Sequence, residues 1–199
     1  MNFDMPPGTQ GLIIANAGIY LLQLLAGNEL LFWFALWPWG DYFSLWQLVS
    51  YSFLHGGLMH IFFNMLLLLM FGGEIERLFG TRWFLQFYAV SVIVAALTHL
   101  AVAAVINAPP YPTIGASGGV FGVLLAFGMY FPHRRVMLLF PPIPLPAWLL
   151  VTGYGVLELF FGITGYSPGI AHFAHLGGMI GGFAMIAHRR GWWGKRRRR

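Results

Sequence analysis

The sequence contains no cysteine and little charge. Only 9% of its 199 residues are Asp, Glu, Lys or Arg, whereas a soluble domain normally carries about 25%. The missing cysteines exclude a disulfide framework, a thiolate metal site and a cysteine nucleophile. Hydrophobic residues make up 58% of the chain, and the mean hydropathy is +0.71. We therefore predict a protein embedded in the lipid bilayer, which excludes a soluble enzyme or a nucleic-acid-binding protein.

Glycine, proline and charged residues divide the chain into six apolar segments that are long enough to be spans. We predict an all-α fold, a six-transmembrane-helix bundle that forms a single membrane domain over residues 1–199. The aromatic segment from Asn28 to Gly57 is expected to lie at the membrane interface without crossing. The predicted spans lie near residues 10–27, 58–77, 83–106, 117–131, 145–161 and 171–188, and a basic tail covers residues 189–199.

The basic residues predict the orientation of the chain. Arg77 with Arg82, Arg134 with Arg135, and the basic tail all fall on one side of the membrane if six helices cross it. The other three connections contain neither Lys nor Arg. By the positive-inside rule, both termini are expected in the cytoplasm. The first residues lack the basic region of a signal peptide, so we expect the first helix to be retained.

Polar side chains inside membrane spans are costly and are therefore candidate functional residues. His60 and Asn64 are four residues apart, so on a helix they share one face and point their N–H groups in the same direction. Two such donors can stabilise an oxyanion, although they could equally hydrogen-bond neighbouring helices. No Asp, Glu or further His lies at ligand spacing from them. We predict no metal site and no cofactor.

A second cluster is Gly115-Ala116-Ser117-Gly118, in which glycines on both sides of the serine allow other backbone to approach. The apolar stretch that starts at Ser117 ends near Phe131, so its helix is roughly 22 Å long, shorter than the roughly 30 Å hydrocarbon core. We expect Ser117 at the floor of a water-containing cavity, at a helix N-terminus that favours negative charge. Such a serine could also simply pack against a carbonyl group.

Two histidines lie near the start of the last predicted helix, and either could be the base that activates Ser117. Gly178 and Gly182 share the face of His175, and small residues allow close helix approach, so geometry favours His175. Glu158 is the one carboxylate in the fifth predicted span. Its position toward the outer end of that helix does not place it near His175, and we expect it to make an interhelical hydrogen bond instead.

Taken together, these motifs resemble those of the rhomboid family of intramembrane serine proteases. The stretch from His55 to Asn64 resembles the family pattern H-x-x-x-x-H-x-x-x-N, and residues 115–118 resemble G-x-S-G. Ala174-His175 with Gly178 resembles A-H-x-x-G. The resemblance covers essentially the whole chain, including the long aromatic first loop.

The resemblance implies that Ser117 is the nucleophile and His175 the general base and acid. It implies that His60 and Asn64 donate to the oxyanion with the Ser117 backbone N–H, and it gives His172 no catalytic role. The implied substrates are transmembrane proteins, cut near the extracytoplasmic membrane boundary. A compact six-helix form suits a bacterial cytoplasmic (inner) membrane.

The chain departs from some family members at two positions. Phe121 stands where some carry a Tyr that stacks on the histidine, and Gln47 stands where some carry Arg; we expect retained activity, because a Phe ring can also stack. The glycine-rich loop over residues 162–170 is expected to cap the site. Two other functions are compatible with a polytopic membrane protein: a catalytically silent rhomboid-like protein that binds membrane clients, and a small channel or transporter. The first would lack the serine or the histidine, and the second would carry intramembrane acids or an inverted repeat.

Overall fold

The computed structural model describes residues 5–107, 111–138, 141–165 and 171–192. Residues 193–199 of the predicted basic tail and residues 166–170 of the predicted capping loop lie outside these ranges. Apart from one short β hairpin, the regular elements of the described residues are helices. In chain order they are α1 (Pro7–Ala26), α2 (Asn28–Phe34), α3 (Gln47–Ser50), a 3-10 turn (Tyr51–Phe53), α4 (Leu58–Leu67), a π-helical turn (Leu68–Gly72), α5 (Gly73–Phe79), α6 (Thr81–Val105), α7 (Ser117–Tyr130), β1 (Arg135–Met137), β2 (Pro144–Pro146), α8 (Ala147–Thr164) and α9 (His172–Arg189).

Each of the six predicted spans contains a helix, and four helices among the described residues are both long and apolar enough to cross a membrane. The second of the four runs without a break from α4 through the π-helical turn into α5. Helix α7 is apolar but has only 14 residues. Helix α9 carries three histidines and an arginine and is not among the four. The protein is therefore a multi-pass helical membrane protein. The four helices long enough to span the membrane are Pro7–Ala26, Leu58–Phe79, Thr81–Val105 and Ala147–Thr164.

A buried carboxylate, Glu76, fixes the start of α1 against α5. Glu76 is 1% exposed, and its two oxygens accept hydrogen bonds from the backbone N–H groups of Gly8 and Thr9, at 2.8 and 2.6 Å. The hydroxyl groups of Thr9 and Thr81 also donate to it, each at 2.8 Å. A carboxylate at a helix N-terminus satisfies free N–H groups and stabilises the positive end of the helix dipole. Glu76 is thus a structural cap.

Helices α6, α7 and α9 form the centre of the bundle, and glycines bring α7 and α9 together. A Cβ atom added at Gly178 of α9 would overlap the carbonyl oxygen of Gly118 in α7. One turn further, a Cβ atom at Gly182 would lie 3.1 Å from the Cα atom of Gly122. Because the helices touch backbone to backbone, side chains at their adjoining N-termini are brought within hydrogen-bonding distance of each other.

The segment from 28 to 57 contains two short helices and a 3-10 turn, and no spanning helix. Gln47 organises it, since its amide donates to the Tyr42 carbonyl at 3.0 Å and accepts from the Ser44 N–H at 3.2 Å. Leu36 and Thr113 exchange two backbone hydrogen bonds of 2.9 Å. These contacts attach the segment to the loop that precedes Ser117.

Candidate active site

Ser117 and His175 face each other where α7 and α9 begin. Ser117 is the first residue of α7, and His175 lies in the first turn of α9. The distance between Ser117 Oγ and His175 Nε2 is 2.8 Å, which is typical of a hydroxyl hydrogen bond. Both residues are partly exposed. The serine hydroxyl can therefore donate its proton directly to the imidazole.

The loop before Ser117 is shaped by Gly115. Its φ angle is 128°, a conformation that residues with a side chain rarely adopt. A Cβ atom at Gly115 would also lie 2.8 Å from the Cε1 and Nε2 atoms of His60 and 3.7 Å from Ser117 Oγ. The backbone N–H of Gly115 donates to the Tyr51 carbonyl oxygen at 2.9 Å. Glycine is thus required both for the turn and for the close approach of His60.

His60 is held in a defined orientation beside Ser117. Its Nδ1 atom accepts a hydrogen bond from the Gly56 backbone N–H at 3.2 Å. Because Nδ1 accepts, the neutral ring carries its proton on Nε2, the atom that approaches Gly115. This ring N–H is available to a substrate atom bound next to the serine hydroxyl.

Asn64 lies one turn beyond His60 on α4 and is 5% exposed. Its Nδ2 atom donates to the His60 carbonyl oxygen at 2.9 Å. One of its two amide hydrogens is therefore used within its own helix, which leaves the second for another acceptor. The sequence predicts that His60 and Asn64 present N–H groups in the same direction, and the structure assigns part of the Asn64 amide to the backbone.

The structure corrects the prediction for Glu158, which is not remote from the histidines of α9. One oxygen, Glu158 Oε2, lies 2.6 Å from His172 Nδ1 and 3.0 Å from His175 Nδ1. The contact to His172 is a hydrogen bond. The contact to His175 has the length of an ion pair, but within the described chain His175 Nδ1 makes no hydrogen bond of good geometry. A carboxylate therefore adjoins the serine–histidine pair on the side opposite the serine.

Two further histidines lie near the site. His55 is buried next to His60, with the two ring centroids 5.0 Å apart. His99 of α6 is not among the residues predicted from the sequence, and its Nε2 atom pairs with Thr113 Oγ1 at 2.7 Å. The available signal was a polar residue inside an apolar span, the same signal that marks His60 and Asn64. His99 stabilises the loop before Ser117 without touching the serine.

The fold and the site define a polytopic helical membrane protein with a serine–histidine pair. The sequence matches the Rhomboid domain family over residues 42–191, and the chain belongs to the rhomboid family. It is 29% identical over 189 residues to the Rhomboid protease GlpG of Yersinia pestis (strain Pestoides F) and 30% identical over 188 residues to that of Serratia proteamaculans (strain 568). Each match covers 90% of this chain and 61% of the relative. The chain therefore spans less than two thirds of the length of these relatives.

Proposed function

We propose that this protein is an intramembrane serine endopeptidase that cleaves transmembrane segments of membrane proteins near the extracytoplasmic membrane boundary. The observation that carries the proposal is the 2.8 Å contact between Ser117 Oγ and His175 Nε2 at the start of α7. Family membership and the protease relatives support the same reaction class. The proposed nucleophile is Ser117, and the proposed general base and acid is His175.

In the first half of the proposed reaction, the Ser117 oxygen attacks the carbonyl carbon of the scissile peptide bond. The hydroxyl proton moves to His175 Nε2, and the carbonyl oxygen becomes an oxyanion. When the C–N bond breaks, His175 returns that proton to the leaving amine, and an acyl ester remains on Ser117. In the second half, water attacks the ester and His175 again carries the proton. The chain then releases the carboxylate product and recovers the serine hydroxyl.

The proposed oxyanion donors are the backbone N–H of Ser117, the ring Nε2–H of His60 and the free amide N–H of Asn64. The Gly56 contact favours the required tautomer of His60. The N-terminus of α7 adds its free N–H groups and the positive end of its dipole. Gly115 and Gly118 are proposed as backbone positions that keep this space open, because a side chain at either would meet neighbouring atoms.

Glu158 is proposed as a positioning residue for His175. To accept a proton at Nε2, the neutral imidazole must carry its other proton on Nδ1. The carboxylate oxygen 3.0 Å from Nδ1 favours that tautomer and stabilises the imidazolium that forms when the serine proton is taken. The pairing with His172 at 2.6 Å holds the carboxylate in place.

The proposed topology has six crossing helices, one domain over residues 1–199, and both termini in the cytoplasm of a bacterium. The basic residues gather at the end of the bundle opposite Ser117: Arg134 pairs with Glu74 at 3.1 Å, and the Arg189 guanidinium lies 4.8 Å from the Trp83 ring centre. By the positive-inside rule that end is cytoplasmic. The catalytic pair then lies toward the extracytoplasmic face of the inner membrane.

The test is cleavage of a tagged single-span substrate by the purified protein in liposomes, together with labelling of the protein by a fluorophosphonate. We expect wild type to cleave and to be labelled. Ser117→Ala and His175→Ala are expected to lose both activities by at least 100-fold. His133→Ala, which changes an exposed histidine in the loop after α7, is the control and should behave as wild type.

Labelling or cleavage that survives Ser117→Ala would refute the serine mechanism. A folded wild-type protein that neither cleaves several substrates nor reacts with the fluorophosphonate, but co-purifies with membrane proteins, would indicate a catalytically silent client-binding protein.

A further inference from the structure

We propose that Glu158, His172 and His175 form a binding site for Zn²⁺, and that the bound ion inhibits the protease by coordinating Nδ1 of His175. The three residues come from two helices: Glu158 lies on α8, and both histidines lie in the first turn of α9. The sequence predicts no metal site. Glu158 and His172 lie 14 positions apart in the chain and on different helices, so no ligand spacing in the sequence marks this cluster.

The ligand atoms converge at one point. One ligand atom from each of Glu158, His172 and His175 lies within 4.8 Å of the other two. Glu158 Oε2 lies 2.6 Å from His172 Nδ1 and 3.0 Å from His175 Nδ1. A tetrahedral Zn²⁺ ion with ligands at about 2.0–2.2 Å separates its ligand atoms by roughly 3.3–3.6 Å. The two contacts to the carboxylate are shorter than that value and the third separation is at most 4.8 Å, so side-chain rotations that move the ligand atoms by about 1 Å would allow all three to coordinate one ion.

The chemistry of the cluster also suits zinc. Two imidazole nitrogens and one carboxylate oxygen make a three-ligand set that leaves a fourth position for water. The side chains of Glu158, His172 and His175 are only 12%, 7% and 12% exposed. Aromatic rings surround the histidines, with Phe121 stacked on His175 and Phe161 5.7 Å from His172 between ring centroids. In such apolar surroundings the attraction between a dication and a carboxylate is strong.

Coordination would inactivate the base through its tautomer. A metal ion on His175 Nδ1 occupies the lone pair of that nitrogen, so the single proton of the neutral ring moves from Nδ1 to Nε2. The number of protons on the ring does not change. An Nε2 atom that carries a proton cannot accept another from the Ser117 hydroxyl. This consequence rests on the proposed function, whereas the binding of zinc does not.

Zinc binding is tested first on Ser117→Ala protein, because this measurement does not depend on catalytic activity. A fluorescent zinc indicator competes with the purified protein in detergent, and the titration gives stoichiometry and affinity. We expect one Zn²⁺ per chain. Adding Glu158→Gln or His172→Ala to this parent should weaken binding by at least tenfold, whereas adding His133→Ala should leave it unchanged. The thermal unfolding temperature of each variant shows whether it is folded.

No saturable binding by the Ser117→Ala parent would overturn the proposal, and so would equal affinity in all folded variants. The second arm measures cleavage by wild type. Zinc at ten times the measured dissociation constant should slow cleavage by about tenfold, and a chelator should restore the rate. If zinc binds but leaves the cleavage rate unchanged, the proposal that zinc inhibits the protease by coordinating His175 is refuted. If wild type does not cleave even in the absence of zinc, the proposed function is contradicted. The titration of Ser117→Ala protein would still show whether the zinc site exists.

Discussion

The ring of Phe121 lies parallel to the imidazole of His175, with ring centroids 4.3 Å apart and an interplanar angle of 5°. Phe121 is one turn after Ser117 on α7, so the residue that flanks the serine also presents a flat surface to the histidine. The stack fixes the plane of the imidazole and thereby the direction in which Nε2 points. A phenyl ring thus provides the packing that the sequence expects from an aromatic residue at this position.

Replacing Phe121 with leucine is expected to lower kcat about two- to tenfold, because stacked aromatic pairs contribute about 0.5–1.5 kcal/mol. Leucine keeps an apolar side chain but has no flat face. Phe121→Tyr is the matched control, and its kcat should stay within about twofold of wild type. The measurement is the steady-state cleavage rate in liposomes. A Phe121→Leu enzyme with full kcat would show that the stack does not orient His175.

Glu158→Gln is expected to lower kcat by about tenfold or more, with little change in KM. Glutamine keeps the size of the side chain but removes the charge that favours a proton on His175 Nδ1 and stabilises the imidazolium. The control is Glu74→Gln, which removes a carboxylate at the far end of the bundle, where it pairs with Arg134. An equal fall in kcat in both variants would mean that the loss is structural and not specific to His175.

Much of the site could be predicted from helical spacing alone. The helical period predicts Gly178 and Gly182 on the face of His175, and in the structure both pack against α7. The start of α7 at Ser117 also follows from the sequence, because the loop before it contains three prolines, which disfavour a helix, and the apolar run after it favours one. These features depend only on local periodicity, which the chain itself encodes.

The position of Glu158 could not be predicted, because it depends on where α8 ends and how α8 packs. The sequence suggests a span to residue 161, whereas α8 continues to Thr164. Glu158 therefore lies nearly two turns below the end of its helix, level with the first turn of α9. The same limit applies to His99, whose partner Thr113 comes from a loop. Contacts between different elements carry no periodic signal in the sequence.

Gly178→Ala is expected to destabilise the protein by about 3 kcal/mol. The added methyl group would overlap the Gly118 carbonyl oxygen, so α7 and α9 would have to move apart. Gly153→Ala on α8 is the control, because a Cβ atom there meets nothing within 4 Å and alanine favours the helix. Thermal unfolding in detergent measures both. Equal unfolding temperatures for the two variants would contradict backbone contact between α7 and α9.

We expect His55 to make the stability of the fold depend on pH. The residue lies in the segment before α4, outside the spanning helices, and is 1% exposed. Neither ring nitrogen makes a hydrogen bond of good geometry within the described residues, and only a contact with the Phe53 backbone opposes the lowering of the pKa. Burial, and next the neighbouring His60, lower the pKa of His55 to about 4, whereas the pKa of an unfolded histidine is about 6.5. Between these values the unfolded chain binds the proton and the folded chain does not.

The stability contributed by neutral His55 is therefore complete above pH 6.5 and declines as the pH falls toward 4, by at most roughly 3 kcal/mol. His55→Phe should remove this slope, because a phenyl ring has no proton to bind and leaves no unsatisfied nitrogen. The measurement is the thermal unfolding temperature from pH 7 to pH 4 in detergent. The exposed His133 provides the control, since His133→Phe should keep the wild-type slope. Parallel pH curves for wild type and His55→Phe would show that His55 takes up its proton without opening the fold.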